Sequence, residues 1–211
     1  MPTGQSFDAI AALVVIIGLC IAGLTDFRSS VLLYGLHSIV LGLLAVVIGR
    51  SHGEPLLVVV GLAVAVIKGV GVPVFLSYAA RRIGCRRDVG MLLAPPLQFF
   101  IALGMLALLV LLRPLRAEFP PSTLPAVGVL LLGMLLMVTR RLAISQIVGF
   151  LVIENGIFLY TIAQPHSMPV VVEIGVLMDV LAGTMLAGLL AFKINRTFEH
   201  IDVAAMRELR G

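Results

Sequence analysis

Apolar residues run along this chain in long unbroken blocks, and polar residues gather in the short joints between them. The blocks cover residues 6 to 24, 31 to 49, 55 to 80, 90 to 112, 121 to 138, 142 to 163 and 168 to 192. A helix needs about 20 apolar residues to cross the hydrocarbon core of a bilayer. Blocks that are apolar on every side suit helices surrounded by lipid or by other helices, so the pattern predicts seven transmembrane helices. The block at 121 to 138 is the shortest and opens with Pro120, Pro121 and Pro125, a position where proline is tolerated because early helical N–H groups have no partner to lose.

Composition strengthens this picture. The 211 residues are 60% hydrophobic and 12% charged, with a mean hydropathy of +1.15, far beyond the balance of a soluble domain. We therefore expect an all-α, polytopic integral membrane protein forming a single membrane domain over residues 1 to 211. No Lys or Arg precedes the first apolar block, so the charged start of a cleavable signal peptide is missing and the first span is read as retained.

Basic residues set the expected orientation, because cytoplasmic loops carry the excess of Lys and Arg. With the N-terminus outside, the inner loops hold eleven: Arg28, Arg81, Arg82, Arg86, Arg87, Arg140, Arg141, Lys193, Arg196, Arg207 and Arg210. The outer loops hold three, Arg50, Arg113 and Arg116. The C-terminus is thus expected in the cytoplasm. The formal charge of +4 is explained by these anchors, with no aromatic-interleaved basic surface for nucleic acid. Cys20 and Cys85 are the only cysteines, too few to ligate iron–sulfur clusters, and no CxxC, HExxH or phosphate-loop motif is present.

Laying residues 6 to 80 over 120 to 194 without a gap pairs Thr25 with Thr139, Gly35 with Gly149, Gly42 with Gly156, Pro55 with Pro169, Gly61 with Gly175 and Gly69 with Gly183. Glycine and proline mark backbone or close-packing needs, so their coincidence predicts two three-helix repeats. The displacement is four spans, an even number, which makes the repeats parallel. Residues 90 to 112 form the connector helix, and residues 195 to 211 a cytoplasmic tail.

Ionisable residues within the blocks need an explanation, because a charge at mid-helix costs about 2.5 to 3.5 kcal/mol on insertion scales. Lys68, Glu154 and Asp179 lie near the middle of their spans, Glu173 lies nearer the outer end of the last, and His37 lies within the second. At 1.5 Å per residue, Glu154 and Asp179 stand at similar depth on adjacent antiparallel spans. Burial brings carboxyls and lysine towards the range where protons are exchanged, so these residues are candidates for a proton relay. The plainer reading is a set of interhelical ion pairs and hydrogen bonds that fix packing. Asn155 and Gln146 fit either reading. Pro73, five residues after Lys68, is a kink that also frees backbone carbonyls.

The segments IKGVGVPVFLSYAARR, RRLAISQIVGFLVIENGIFL and VEIGVLMDVLAGTMLAGLLAFKINRTFEHIDVAAMRELRG resemble the component E membrane subunit of hydrogenase-4 and related formate-hydrogenlyase-type nickel–iron hydrogenases. The second repeat with its tail is also similar to the small K subunit of bacterial complex I and to the matching subunit of multisubunit cation/proton antiporters. Those subunits carry mid-membrane glutamates on their second and third helices. Glu154 and Asp179 are the nearest matches here, although Glu154 lies about one turn beyond its counterpart and Asp179 replaces a glutamate. In the first repeat, Gly35-Leu36-His37 puts histidine where the small subunit has its acid.

The resemblance implies a subunit, not an enzyme by itself, within a membrane-bound oxidoreductase complex that couples electron transfer to proton or sodium movement. It implies partners: antiporter-like membrane subunits, a membrane anchor subunit and a cytoplasmic hydrogenase-type arm. The nickel–iron and iron–sulfur centres would lie in those partners, with no metal or cofactor in this chain, and the setting would be a bacterial or archaeal cytoplasmic membrane. Two alternatives stay open: a subunit of a cation/proton antiporter without a redox arm, and a structural spacer whose buried charges pair without moving protons.

Overall fold

The computed structural model describes residues 3–83, 92–112 and 123–164, together with Gly183. Every regular element among them is helical. In chain order these are α1 (Thr3–Gly23), α2 (Phe27–His52), α3 (Pro55–Ala63), a π-helical segment (Val64–Gly71), α4 (Val72–Ile83), α5 (Pro95–Leu111), α6 (Leu124–Thr139) and α7 (Ala143–Ile162). The α3–π–α4 run is continuous, so six of the expected spans are helices. The seventh, with Glu173 and Asp179, and the tail lie outside the described residues.

Three helices are long and apolar enough to cross a membrane: Phe27–His52, Pro55–Arg81 and Ala143–Ile162. Phe7–Gly23, Pro95–Leu111 and Leu124–Thr139 are shorter but equally apolar in character. Large apolar side chains face outward all around the bundle, among them Leu32, Val59, Val66, Phe100, Val110 and Val138, each more than 60% exposed. That surface suits lipid or further helices far better than water.

Local chemistry, and not hydrophobicity alone, decides where α2 and α5 begin. The apolar block of α2 opens at residue 31, yet the helix starts at Phe27, because the Asp26 carboxylate accepts from both the backbone N–H and the hydroxyl of Ser29 at 2.9 and 2.8 Å. An aspartate at this position satisfies one of the orphan donors of the first turn. At the far end Gly53 adopts φ +70°, and the Gly49 carbonyl accepts from Glu54 N–H at 2.8 Å. Only glycine enters that conformation without steric cost. The fourth span is expected from residue 90 but begins at Pro95; Ala94, held extended with ψ 140° as residues before proline are, stops the helix from starting earlier.

Two close helix pairs organise the bundle, and both rest on glycine. A Cβ on Gly42 would stand 2.5 Å from the Gly61 carbonyl oxygen, and one on Gly61 would stand 2.7 Å from that of Gly42. Along the same seam Gly35 faces Gly69 and Gly49 faces Val58, so α2 runs antiparallel to α3–π–α4. In the second pair Gly133 of α6 abuts Gly149 and Ile153 of α7, while Gly156 abuts Leu130. Small residues of this kind let membrane helices approach backbone to backbone.

The α1–α2 and α6–α7 joints meet at one end of the bundle. Arg140, expected as a solvated loop anchor, is buried there and donates through Nη2 to the carbonyls of Ile21 (3.4 Å) and Leu24 (2.5 Å). It thereby caps the unsatisfied C-terminus of α1. Leu92 N–H donates to the Thr139 carbonyl at 3.0 Å, bringing the start of α5 to the same end.

Candidate functional site

The π segment shapes the site. Pro73 has no N–H, and its ring would crowd the carbonyl four residues earlier. Just before it the chain widens, with Val72 N–H bonding to the Ile67 carbonyl five residues back. Single stretches of π-helix inside α-helices often occur at functional positions. Within this stretch Val66, Ile67 and Val70 face outward, whereas Lys68 turns inward and is only 4% exposed.

Lys68 Nζ lies 3.2 Å from Oε2 of Glu154, with the two side chains 5% and 3% exposed. The ion pair joins the third span to the sixth across the bundle. Two charges withdrawn from water repay that cost only when they face each other closely, which explains how both are tolerated in mid-helix. The sequence leaves open what Lys68 meets, and the structure shows that Glu154 is one such group.

Asn155, the next residue on α7, points to a second helix. Its Nδ2 lies 2.9 Å from Nδ1 of His37 and donates to Ser38 Oγ at 2.8 Å. His37, Ser38 and Asn155 are all fully buried. The Asn155 amide is compatible with two states of the imidazole. With Nδ2 towards the ring, His37 Nδ1 accepts and Nε2 carries the proton. Turned over, the amide oxygen accepts from Nδ1–H, and Nε2 is left as the acceptor nitrogen. His37 Nε2 has no hydrogen-bond partner among the described residues and lies beside Gly18 of α1.

The structure therefore brings Lys68 and Glu154 together and holds His37 through Asn155, the residue after Glu154, while Glu173 and Asp179 lie outside the described residues. It adds Asn155 and Ser38. Gln146 resolves differently: its Nε2 donates to the Arg140 carbonyl at 2.9 Å, a cap at the end of α6 and not a member of the buried cluster. The sequence carried one unused signal, since Ser30, Tyr34, His37 and Ser38 form a polar stripe at helical spacing on the otherwise apolar α2. Among the described residues no group of three or more His, Cys, Asp and Glu side chains comes together in a way that could hold a metal ion.

No family model matches the sequence, and no solved structure matches it. An uncharacterized protein of Mycobacterium tuberculosis is 28% identical over 209 residues, covering 96% of this chain and 95% of its own. Hydrogenase-4 component E of Escherichia coli K12 is 28% identical over 211 residues, covering 96% of each chain, and the protein of the same name from Shigella flexneri matches to the same extent. These matches support the resemblance read from the sequence: along 96% of its length the chain is similar to hydrogenase-4 component E.

Proposed function

We propose that this chain is a non-catalytic membrane subunit of an energy-converting, complex I-related hydrogenase-type complex, and that it helps move protons or sodium ions as electrons pass through partner subunits. The observation that carries this reading is the buried Lys68–Glu154 pair, set at mid-span; the neighbouring residue of α7, Asn155, makes a separate buried contact with His37. Intramembrane ionisable groups that face one another inside a bundle are the usual material of proton relays. Asp179 and Glu173 would extend the relay on the seventh span. The partners would be antiporter-like membrane subunits, a membrane anchor and a cytoplasmic arm holding the nickel–iron and iron–sulfur centres.

Replacing Glu154 with glutamine tests the relay. The amide keeps the size and a hydrogen-bond acceptor for Lys68 while removing the titratable group. Inverted vesicles carrying Glu154→Gln are expected to retain the subunit on a native gel, and to take up at least about tenfold fewer protons per electron transferred. An assembled variant with unchanged stoichiometry would remove Glu154 from the relay and leave the structural reading of the pair.

The seven-span, N-out arrangement with two parallel repeats belongs to the same proposal. Its support is the segregation of charge among the described residues. Arg28, Arg81, Arg140 and Arg141 gather at the end where α2 and α7 begin, against Arg50 at the other. A reporter fused after Gly211 should face the cytoplasm and one at Glu118 the outside. Alkaline phosphatase activity from the Gly211 fusion would exclude this topology.

A further inference from the structure

α2 holds both helices that carry the ion pair, each on a different face. On one face the glycine seam holds the π segment: a Cβ on Gly35 would stand 2.7 Å from the Gly69 carbonyl oxygen and 2.9 Å from the ring of Pro73, and Ile39 packs over Gly69. Gly69 is the residue after Lys68. On another face His37 and Ser38 bond the amide of Asn155, at 2.9 and 2.8 Å, and Asn155 is the residue after Glu154. Either way round, the amide keeps two bonds to α2, because its oxygen can accept from the ring N–H and the serine O–H where its nitrogen can donate to them.

These contacts fix a triangle. With 3.6 residues per turn, His37 and Ser38 lie about 120° around α2 from the face of Gly35, Ile39 and Gly42. The π segment and α7 therefore stand on two sides of α2, and among the described residues they pack on α2 but hardly on each other. The Lys68–Glu154 pair closes the third side, at 3.2 Å. Because both ends of that side are indexed to one helix, its length holds only while the two rotations hold. A turn of α7 by about 10° moves a side-chain tip about 6 Å off the axis through about 1 Å. That is enough to open the pair to about the 4 Å limit of an ion pair.

We infer that Asn155 is a positioning residue for the Lys68–Glu154 pair: its bonds to His37 and Ser38 hold α7 at the rotation on α2 that keeps Glu154 within reach of Lys68. The inference rests on the relay reading above and adds to it the group that sets its geometry. Asn155 carries no proton in this role. Hydrogen bonds are directional whereas apolar burial is not, so the amide selects one rotation more sharply than a valine or leucine in its place would. An amide buried in an apolar bundle is costly unless it is bonded, and here its two bonds go to the helix that also seats the π segment.

The test reads two quantities on the assembled complex: the fall in unfolding midpoint caused by Lys68→Met, and proton uptake by inverted vesicles per subunit retained on a native gel. In an Asn155→Ala background the fall caused by Lys68→Met should shrink at least about twofold, because a loosened pair has less to lose. Uptake by Asn155→Ala itself should drop at least about tenfold, as a misplacement of about 1 Å can produce. Ser38→Ala cuts one of the two bonds and leaves Asn155 in place. It should move both readings the same way by a smaller amount, and it decides the matter alone if Asn155→Ala does not assemble. Thr161→Val is the control. It removes a buried hydroxyl of α7 that donates to the Ile157 carbonyl of the same helix at 2.8 Å, and it should change neither reading. An undiminished Lys68→Met effect in the Ser38→Ala background, and in Asn155→Ala where that variant assembles, would overturn the positioning role and leave the relay to the Glu154→Gln test. A diminished effect with normal uptake in Asn155→Ala and Glu154→Gln alike would uphold the positioning of the pair and overturn the relay reading.

Discussion

Lys68→Met is expected to cost the folded protein about 3–5 kcal/mol, the usual penalty for removing one partner of a buried ion pair. Methionine matches the length of the lysine stem but offers Glu154 no donor, so the carboxylate is left in a 3%-exposed site without the charge that stood 3.2 Å away. Glu154→Gln is milder because its amide oxygen still accepts from Lys68. The double variant Lys68→Met/Glu154→Gln removes both charges together and should recover most of the loss. The measurement is the midpoint of thermal unfolding in mild detergent for the wild type, both single variants and the double, closed as a double-mutant cycle. Additive losses in the four proteins would show that the two charges do not depend on each other, against the geometry of the pair.

The second large effect needs only one methyl group. Gly42→Ala puts a Cβ 2.5 Å from the Gly61 carbonyl oxygen and 2.8 Å from the Ala65 nitrogen. Both are backbone atoms, which cannot step aside as a flexible side chain does. The helices must separate, and overpacking of this kind costs about 1–3 kcal/mol or more. The separation also moves the π segment relative to α2, so the Lys68–Glu154 contact should weaken with it. Gly104→Ala on α5 is the control, since a Cβ there meets nothing within 4 Å. In an exposed helix interior the same substitution should gain about 0.5–1 kcal/mol through propensity alone. Unfolding midpoints should therefore move in opposite directions, and a Gly42→Ala protein as stable as Gly104→Ala would contradict the close α2–α3 contact.

Much of the architecture was legible in the sequence because lipid imposes a coarse rule. A chain in hydrocarbon must satisfy its backbone internally, so blocks of apolar residues become helices wherever tertiary contacts place them. The helices within the described residues, three long enough to cross a membrane and three shorter apolar ones, follow from that rule, as do the inward positions of Lys68 and Glu154, whose charges would be prohibitive against lipid. Helix ends were legible less well. Asp26 and Pro95 reset them by local hydrogen bonding and by steric exclusion before proline, neither of which hydrophobicity registers.

What the sequence could not decide was partnership. Periodicity says which residues share a face of one helix, but nothing about which face of another helix lies opposite. Lys68 meets Glu154, and Asn155 meets His37 and Ser38, only because glycine seams bring α2 against the π segment and α6 against α7 at fixed rotation. The same limit applies to Arg140: as a residue in a loop between spans it reads as a solvated anchor, yet the α1–α2 joint lies beside it and gives it carbonyls to cap. Charge and apolar length determined that these residues lie within or beside the membrane-type helices. Only the three-dimensional packing determined which of them touch, because contact depends on the crossing and rotation of helices distant in sequence.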